Sequence, residues 1–226
     1  MASAPSAPAA PDLKSGQLLN LITATVASTV GFWAWTIIGP LSARYTQTLD
    51  LNPSQASILV AMPILVGSLA RIPVGAWTDR YGGRRMFTLV LGVTAPLVLL
   101  TAVAGESGSY ALLIIVAFFL GIAGTVFAIG IPFCSAWYDR SRKGFATGVF
   151  GAGMVGTAVS AFFTPRLVTG VGYFNAHLII AGVVALMALI SWLVLRESPA
   201  WSRPTDPTLP KIRHAFTLRA TWQLCF

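Results

Sequence analysis

The sequence predicts an all-α membrane protein of six transmembrane helices, and three observations carry that prediction. The 226 residues are 55% hydrophobic and only 10% charged, where a soluble domain has about a quarter of its residues charged; mean hydropathy is +0.74. Six apolar stretches each reach the roughly 20 residues that a helix needs to cross a bilayer. The basic residues alternate from loop to loop, crowding onto one side of those stretches.

The chain begins with an Ala/Pro/Ser-rich stretch, poor in charge. It lacks the basic start and long apolar core of a signal peptide, so residues 1–15 read as a disordered tail. A six-helix bundle follows over 16–197. Its spans run from Leu18 to Leu41, Ser54 to Trp77, Met86 to Ala104, Tyr110 to Trp137, Gly144 to Leu167 and Phe174 to Leu195. Asn52-Pro53-Ser54 is a helix start, with proline admitted in the first turn. Gly105-Glu106-Ser107-Gly108-Ser109 is a tight turn between the third and fourth spans. Residues 198–220 form a loop rich in proline and charge, and apolar character returns at 221–226 as the start of a seventh span. Six spans, a basic loop and the start of another read as half of a twelve-span transporter, whose missing second half would complete the site.

The charge pattern sets orientation. One side receives Lys14, Arg80, Arg84, Arg85, Arg140, Arg142, Lys143, Arg196, Arg203, Lys211, Arg213 and Arg219; the other receives Arg44 and Arg166. The basic side is expected in the cytoplasm, together with the N-terminus. The net charge of +8 is thereby explained by the lipid bilayer and calls for no nucleic acid. The two cysteines, Cys134 and Cys225, lie far apart on apolar segments and suggest neither a disulfide nor a metal site. No nucleophile–base pair, phosphate loop or ligand cluster points to an enzyme or a cofactor.

The remaining basic residue, Arg71, falls inside the second span. A charged side chain there is costly and marks a functional site by default. Pro63, Gly67, Arg71 and Gly75 recur every four residues, so they share a helix face on which small residues leave room for the guanidinium. No Asp or Glu falls within the six predicted spans, so a bound anion is one way to balance the charge. The alternative is a side chain that snorkels to the basic interface. The fifth span is the second unusual feature. Gly144, Gly148, Ala152, Gly156 and Ser160 fall at intervals of four, with Gly151 and Gly153 beside them. Such a bare stripe serves close helix packing, and beside a pore it also permits flexing or contact with a small substrate. His177 is expected at the outer interface.

Five stretches carry resemblances to known families. Gly75, Asp79, Arg80, Gly82, Gly83, Arg84 and Arg85 form G-x-x-x-D-R-x-G-G-R-R, which resembles the conformational signature between the second and third helices of the major facilitator superfamily. Gly67-Ser-Leu-Ala-Arg-Ile-Pro73, Gly121-Ile-Ala-Gly-Thr-Val-Phe127, the glycine-rich fifth span and Arg-Glu-Ser-Pro-Ala-Trp at 196–201 together resemble that superfamily's nitrate/nitrite porters. The resemblance implies the N-terminal half of a twelve-helix fold in the cytoplasmic membrane, moving nitrate or nitrite by alternating access. It implies that Arg71 binds the anion, that Phe127 covers it, and that Gly144, Gly148, Gly151, Gly153 and Gly156 form the family's glycine-rich helix, with Gly148 and Gly151 at the substrate. Phe150 and Val155 stand in the region where other members carry asparagines. A transporter for another small anion or metabolite, or a non-transporting receptor half, are the competing readings.

Overall fold

The computed structural model describes residues 16–202 and 217. The tail over 1–15, the loop beyond 202 and the seventh-span start at 221–226 lie outside the described residues. Six helical spans run Gln17–Thr48, Pro53–Tyr81, Gly83–Glu106, Tyr110–Ser135, Lys143–Val171 and Tyr173–Val194, each long and apolar enough to cross a membrane. The chain is a multi-pass membrane protein.

Every predicted span is present, and the departures have local causes. The first span is not one straight helix. Its α-helix stops at Trp35, a 3₁₀ turn occupies Gly39–Leu41, and a second helix continues through Ser42–Thr48. Gly39-Pro40 accounts for the break, since proline cannot donate a helical hydrogen bond. The fourth and fifth spans tighten into 3₁₀ turns at Gly121–Thr125 and Ala152–Val155, both among glycines. The second span starts on a capping box: Asn52 Oδ1 accepts from the Gln55 N–H at 2.9 Å, and Gln55 Oε1 accepts from the Asn52 N–H at 3.0 Å.

The stretch predicted as a loop between the second and third spans is helical on both sides. Only Gly82 separates Pro53–Tyr81 from Gly83–Glu106, at φ 88° and ψ 156°. Gly172 separates the fifth and sixth spans with nearly the same backbone, φ 90° and ψ 161°. Positive φ of this kind is readily available only to glycine. The second and fifth spans are each 29 residues long. The bundle thus divides into two three-helix stretches with matching corners.

The first span is central and touches all five others, and the third and sixth pack along their lengths. The second and fifth spans are the least buried, and large apolar side chains such as Leu69, Phe119 and Leu193 point outward. Both ends are tied by hydrogen bonds. At the end away from the basic loops, Tyr45 Oη and Tyr173 Oη lie 2.9 Å apart and Tyr173 donates to the Thr101 carbonyl at 3.1 Å, joining the first, third and sixth spans. His177 belongs to this cluster. The side chain expected at the interface is fully buried, with Nδ1 2.8 Å from the Tyr173 carbonyl.

Candidate functional site

The candidate site forms where the first, second and fourth spans meet, and Trp35 is its keystone. Its indole N–H donates to the Pro63 carbonyl of the second span at 2.7 Å. A Cβ built at Gly67 would lie 2.6 Å from the indole nitrogen, and one at Gly124 would lie 2.5 Å from the ring. Real Cβ atoms do not approach so closely, so both helices carry glycine where they bed the indole. Gly121 meets the Pro63 carbonyl and Val66 in the same way. These contacts bring the second span against the 3₁₀ turn of the fourth.

Arg71 follows one turn beyond Gly67. Its guanidinium carbon lies 5.5 Å from the centre of the Phe127 ring and 5.7 Å from that of Trp35, within reach of cation–π attraction. Nε donates a long bond, 3.4 Å, to the Gly124 carbonyl. The two terminal nitrogens make no hydrogen bond among the described residues. The second helix continues to Tyr81, so about 15 Å of helix separates Arg71 from its basic end. The side chain turns sideways, toward the first and fourth spans, rather than along the axis toward that end.

Phe127 is half-buried and packs on Phe32 at 6.2 Å and on Phe150 at 5.9 Å between ring centres. Phe150 is fully buried. Its ring fills the space over Gly130, where a Cβ would collide with it. The structure therefore brings Arg71 and Phe127 together and turns Phe150 into the bundle core behind them.

The fifth-span glycines do not act as one stripe. Gly153 and Gly156 bed against the first span: a Cβ at Gly153 would be 2.9 Å from both the Ser28 side chain and the Thr25 carbonyl, and one at Gly156 would strike the Thr29 carbonyl. Gly144, Gly148 and Gly151 meet nothing within 4 Å. The reason is geometric. Four residues turn a helix by about 400°, so an every-fourth stripe drifts about 40° per step. Over Gly144 to Ser160 it passes from the open flank to the packed one.

The signature loop is held by a residue from outside it. The Glu197 carboxylate accepts from the Arg84 N–H at 2.8 Å and so caps the third helix. Arg84 Nε donates to the Trp192 carbonyl at 2.9 Å, and its guanidinium lies 4.5 Å from the Trp192 ring centre. Gly83 sits against Phe133, leaving no room for a side chain. Asp79 and Arg80 are exposed in the last turn of the second helix, Arg85 is exposed in the first turn of the third, and Gly75 has open space around it. Glu197 lies within the Arg-Glu-Ser-Pro stretch noted in the sequence, but its partner could not be read there.

Burial pushes the Glu197 carboxyl up from its ordinary range, against the opposing pull of the Arg84 and Gly83 N–H groups and of the Arg84 and Arg85 charges. A carboxyl that holds its proton more tightly when folded makes the fold less stable as pH rises from the ordinary carboxylate range through the raised value. Glu197→Gln keeps the acceptor and removes the charge. It should unfold at or above the wild-type temperature near neutrality, with the wild type gaining on it as pH falls. Glu197→Ala removes the cap and should cost about 0.5–2 kcal/mol. Thermal unfolding of the purified transporter across pH checks both. A wild type that loses ground to Glu197→Gln on acidification would mean that the ionised form is what holds the loop.

The fold is a membrane bundle of two three-helix units with an arginine at the junction of the first, second and fourth spans. Residues 24–226 match the family model described as Major Facilitator Superfamily, and the chain belongs to that superfamily. It is 51% identical over 211 residues to the probable nitrate/nitrite transporter NarK2 of Mycobacterium tuberculosis, covering 93% of this chain and 53% of that protein. It is 39% identical to the probable nitrate/nitrite antiporter NarK1 of Thermus thermophilus (88% and 47% covered) and 34% identical to the probable nitrate transporter NarT of Staphylococcus epidermidis (78% and 45% covered). The chain spans about half the length of these relatives. Among solved structures, a bacterial homologue of the human lysosomal transporter Spinster, inward-facing and occupied, superposes with a TM-score of 0.66 at 19% identity, over 84% of this chain and 46% of that one. That likeness supports the fold alone.

Proposed function

We propose that the chain is the N-terminal half of a transporter that moves nitrate or nitrite across the cytoplasmic membrane, with the N-terminus and the basic loops inside. The observation that carries this reading is Arg71: a half-buried guanidinium within 6 Å of two aromatic ring centres, its terminal nitrogens without a partner among the described residues. A planar fork of donors suits a planar oxyanion, which would also neutralise the charge. The names of the relatives support the same substrate class. Arg71 binds the anion, Phe127 and Trp35 wall it, and Gly148 and Gly151 leave the fifth span bare toward the second half, which supplies the remainder of the site. Rocking of the two halves alternates access, and the loop from Gly75 to Arg85, held by Glu197, acts as the latch.

The test is uptake of labelled nitrate by proteoliposomes carrying the full transporter polypeptide. Saturable uptake that nitrite competes for is the expected result, with chloride and sulfate far weaker as competitors. Uptake that neither nitrate nor nitrite saturates would discard the substrate assignment while leaving the fold untouched.

A further inference from the structure

At the basic end of the bundle a groove of about 780 Å³ opens between the first and sixth spans, away from Arg71. Its walls differ in kind. Leu18, Leu19, Ile22 and Leu193 line it and are 50–65% exposed, an apolar surface continuous with the outside of the bundle. Arg196 and Trp137 also line it. Arg196 is fixed there by its backbone, whose N–H donates to Asn20 Oδ1 at 2.8 Å. No hydrogen bond holds its guanidinium among the described residues. Trp137 is 4% exposed, and its indole N–H is buried without an acceptor among the described residues. Arg196 borders a second cavity of about 450 Å³ together with Arg80, Arg84 and Arg85. Glu197, hydrogen-bonded to the Arg84 backbone, is the carboxylate lining that cavity, so four guanidinium groups face one acid there.

We propose that this groove binds one anionic phospholipid of the cytoplasmic leaflet, its phosphate on the Arg196 guanidinium and one acyl chain along Leu18, Leu19, Ile22 and Leu193. The chemistry is complementary at each point. Basic pockets between spans on the cytoplasmic side attract anionic headgroups. The apolar wall opens to the membrane rather than to water, so a soluble anion would leave it uncovered while a lipid covers it. The net positive charge favours phosphatidylglycerol over a zwitterionic lipid of the same chain length.

Native mass spectrometry of the full transporter, delipidated and then offered phosphatidylglycerol and phosphatidylcholine with identical chains, tests this. One phosphatidylglycerol should be retained, with a preference of about tenfold, the scale of a charge-assisted bond. Arg196→Gln should abolish the preference. Leu193→Trp fills the groove without touching the charge and should lower occupancy by phosphatidylglycerol, which keeps the proposal testable if Arg196→Gln misfolds. Arg166→Gln, at the other end of the bundle, should change neither. Equal retention of the two lipids, or a preference that survives both groove variants, overturns the proposal. So does displacement of the lipid by millimolar inorganic phosphate, which would make this a site for free anions.

Discussion

Arg71→Lys should leave the full transporter inserted at wild-type levels and weaken nitrate affinity roughly tenfold to several hundredfold, the loss of one or two charge-assisted hydrogen bonds. Lysine keeps the charge but replaces a planar fork with a compact ammonium. The geometry sharpens the expectation. The guanidinium carbon lies 5.7 Å from the Trp35 ring centre and 5.5 Å from that of Phe127, and Nε reaches the Gly124 carbonyl, which leaves the terminal nitrogens for a ligand. An ammonium fills none of these three roles in the same way. A snorkelling arginine would behave differently, because lysine snorkels as well. Nitrate and nitrite uptake at matched membrane expression separates the two. Equal apparent affinities would remove Arg71 from the site, and with it the residue-level support for an anion substrate.

What the sequence made legible follows from how strongly each feature is written into it. Membrane spans are long and chemically simple, so all six were readable, with ends displaced by up to seven residues where helices outlast their apolar stretches, as at Ser42 to Thr48 and Thr78 to Tyr81. Arg71 was legible because a lone charge in an apolar run has no ordinary explanation. Trp35 was not. Aromatic residues are unremarkable in a span, and what singles this one out is the pair of glycines, Gly67 and Gly124, on two other helices that make room for it. That juxtaposition exists only in three dimensions. The same holds for Glu197, which meets Arg84 across 113 residues of sequence, and for His177, whose burial depends on Tyr173 being anchored by Tyr45 and Thr101. The fifth-span glycines were readable as a set but not as two sets, because an every-fourth pattern conceals its own drift around the helix.

That division gives the second large effect. Gly156→Ala should destabilise the bundle by about 1–3 kcal/mol or prevent its assembly, the cost of overpacking a close contact. The added methyl would strike the Thr29 carbonyl, and it would stand 2.9 Å from the Phe32 Cβ. A backbone carbonyl cannot rotate away as a flexible side chain can, so the fifth span must move off the first. Phe32 packs on both Trp35 and Phe127, so the displacement reaches the aromatic walls around Arg71. Gly148→Ala and Gly151→Ala meet open space, and alanine in a helix restricts the unfolded chain, so these variants should be as stable as wild type or gain about 0.4–1 kcal/mol. If the open flank of the fifth span faces the substrate and the second half, the same two variants should nonetheless slow nitrate uptake. Thermal unfolding and proteoliposome uptake, measured on the same preparations, check both halves of the expectation. Stable Gly148→Ala and Gly151→Ala proteins with unchanged uptake would take these glycines out of the transport path, and a normally stable Gly156→Ala would show that the first and fifth spans are not in the close contact described.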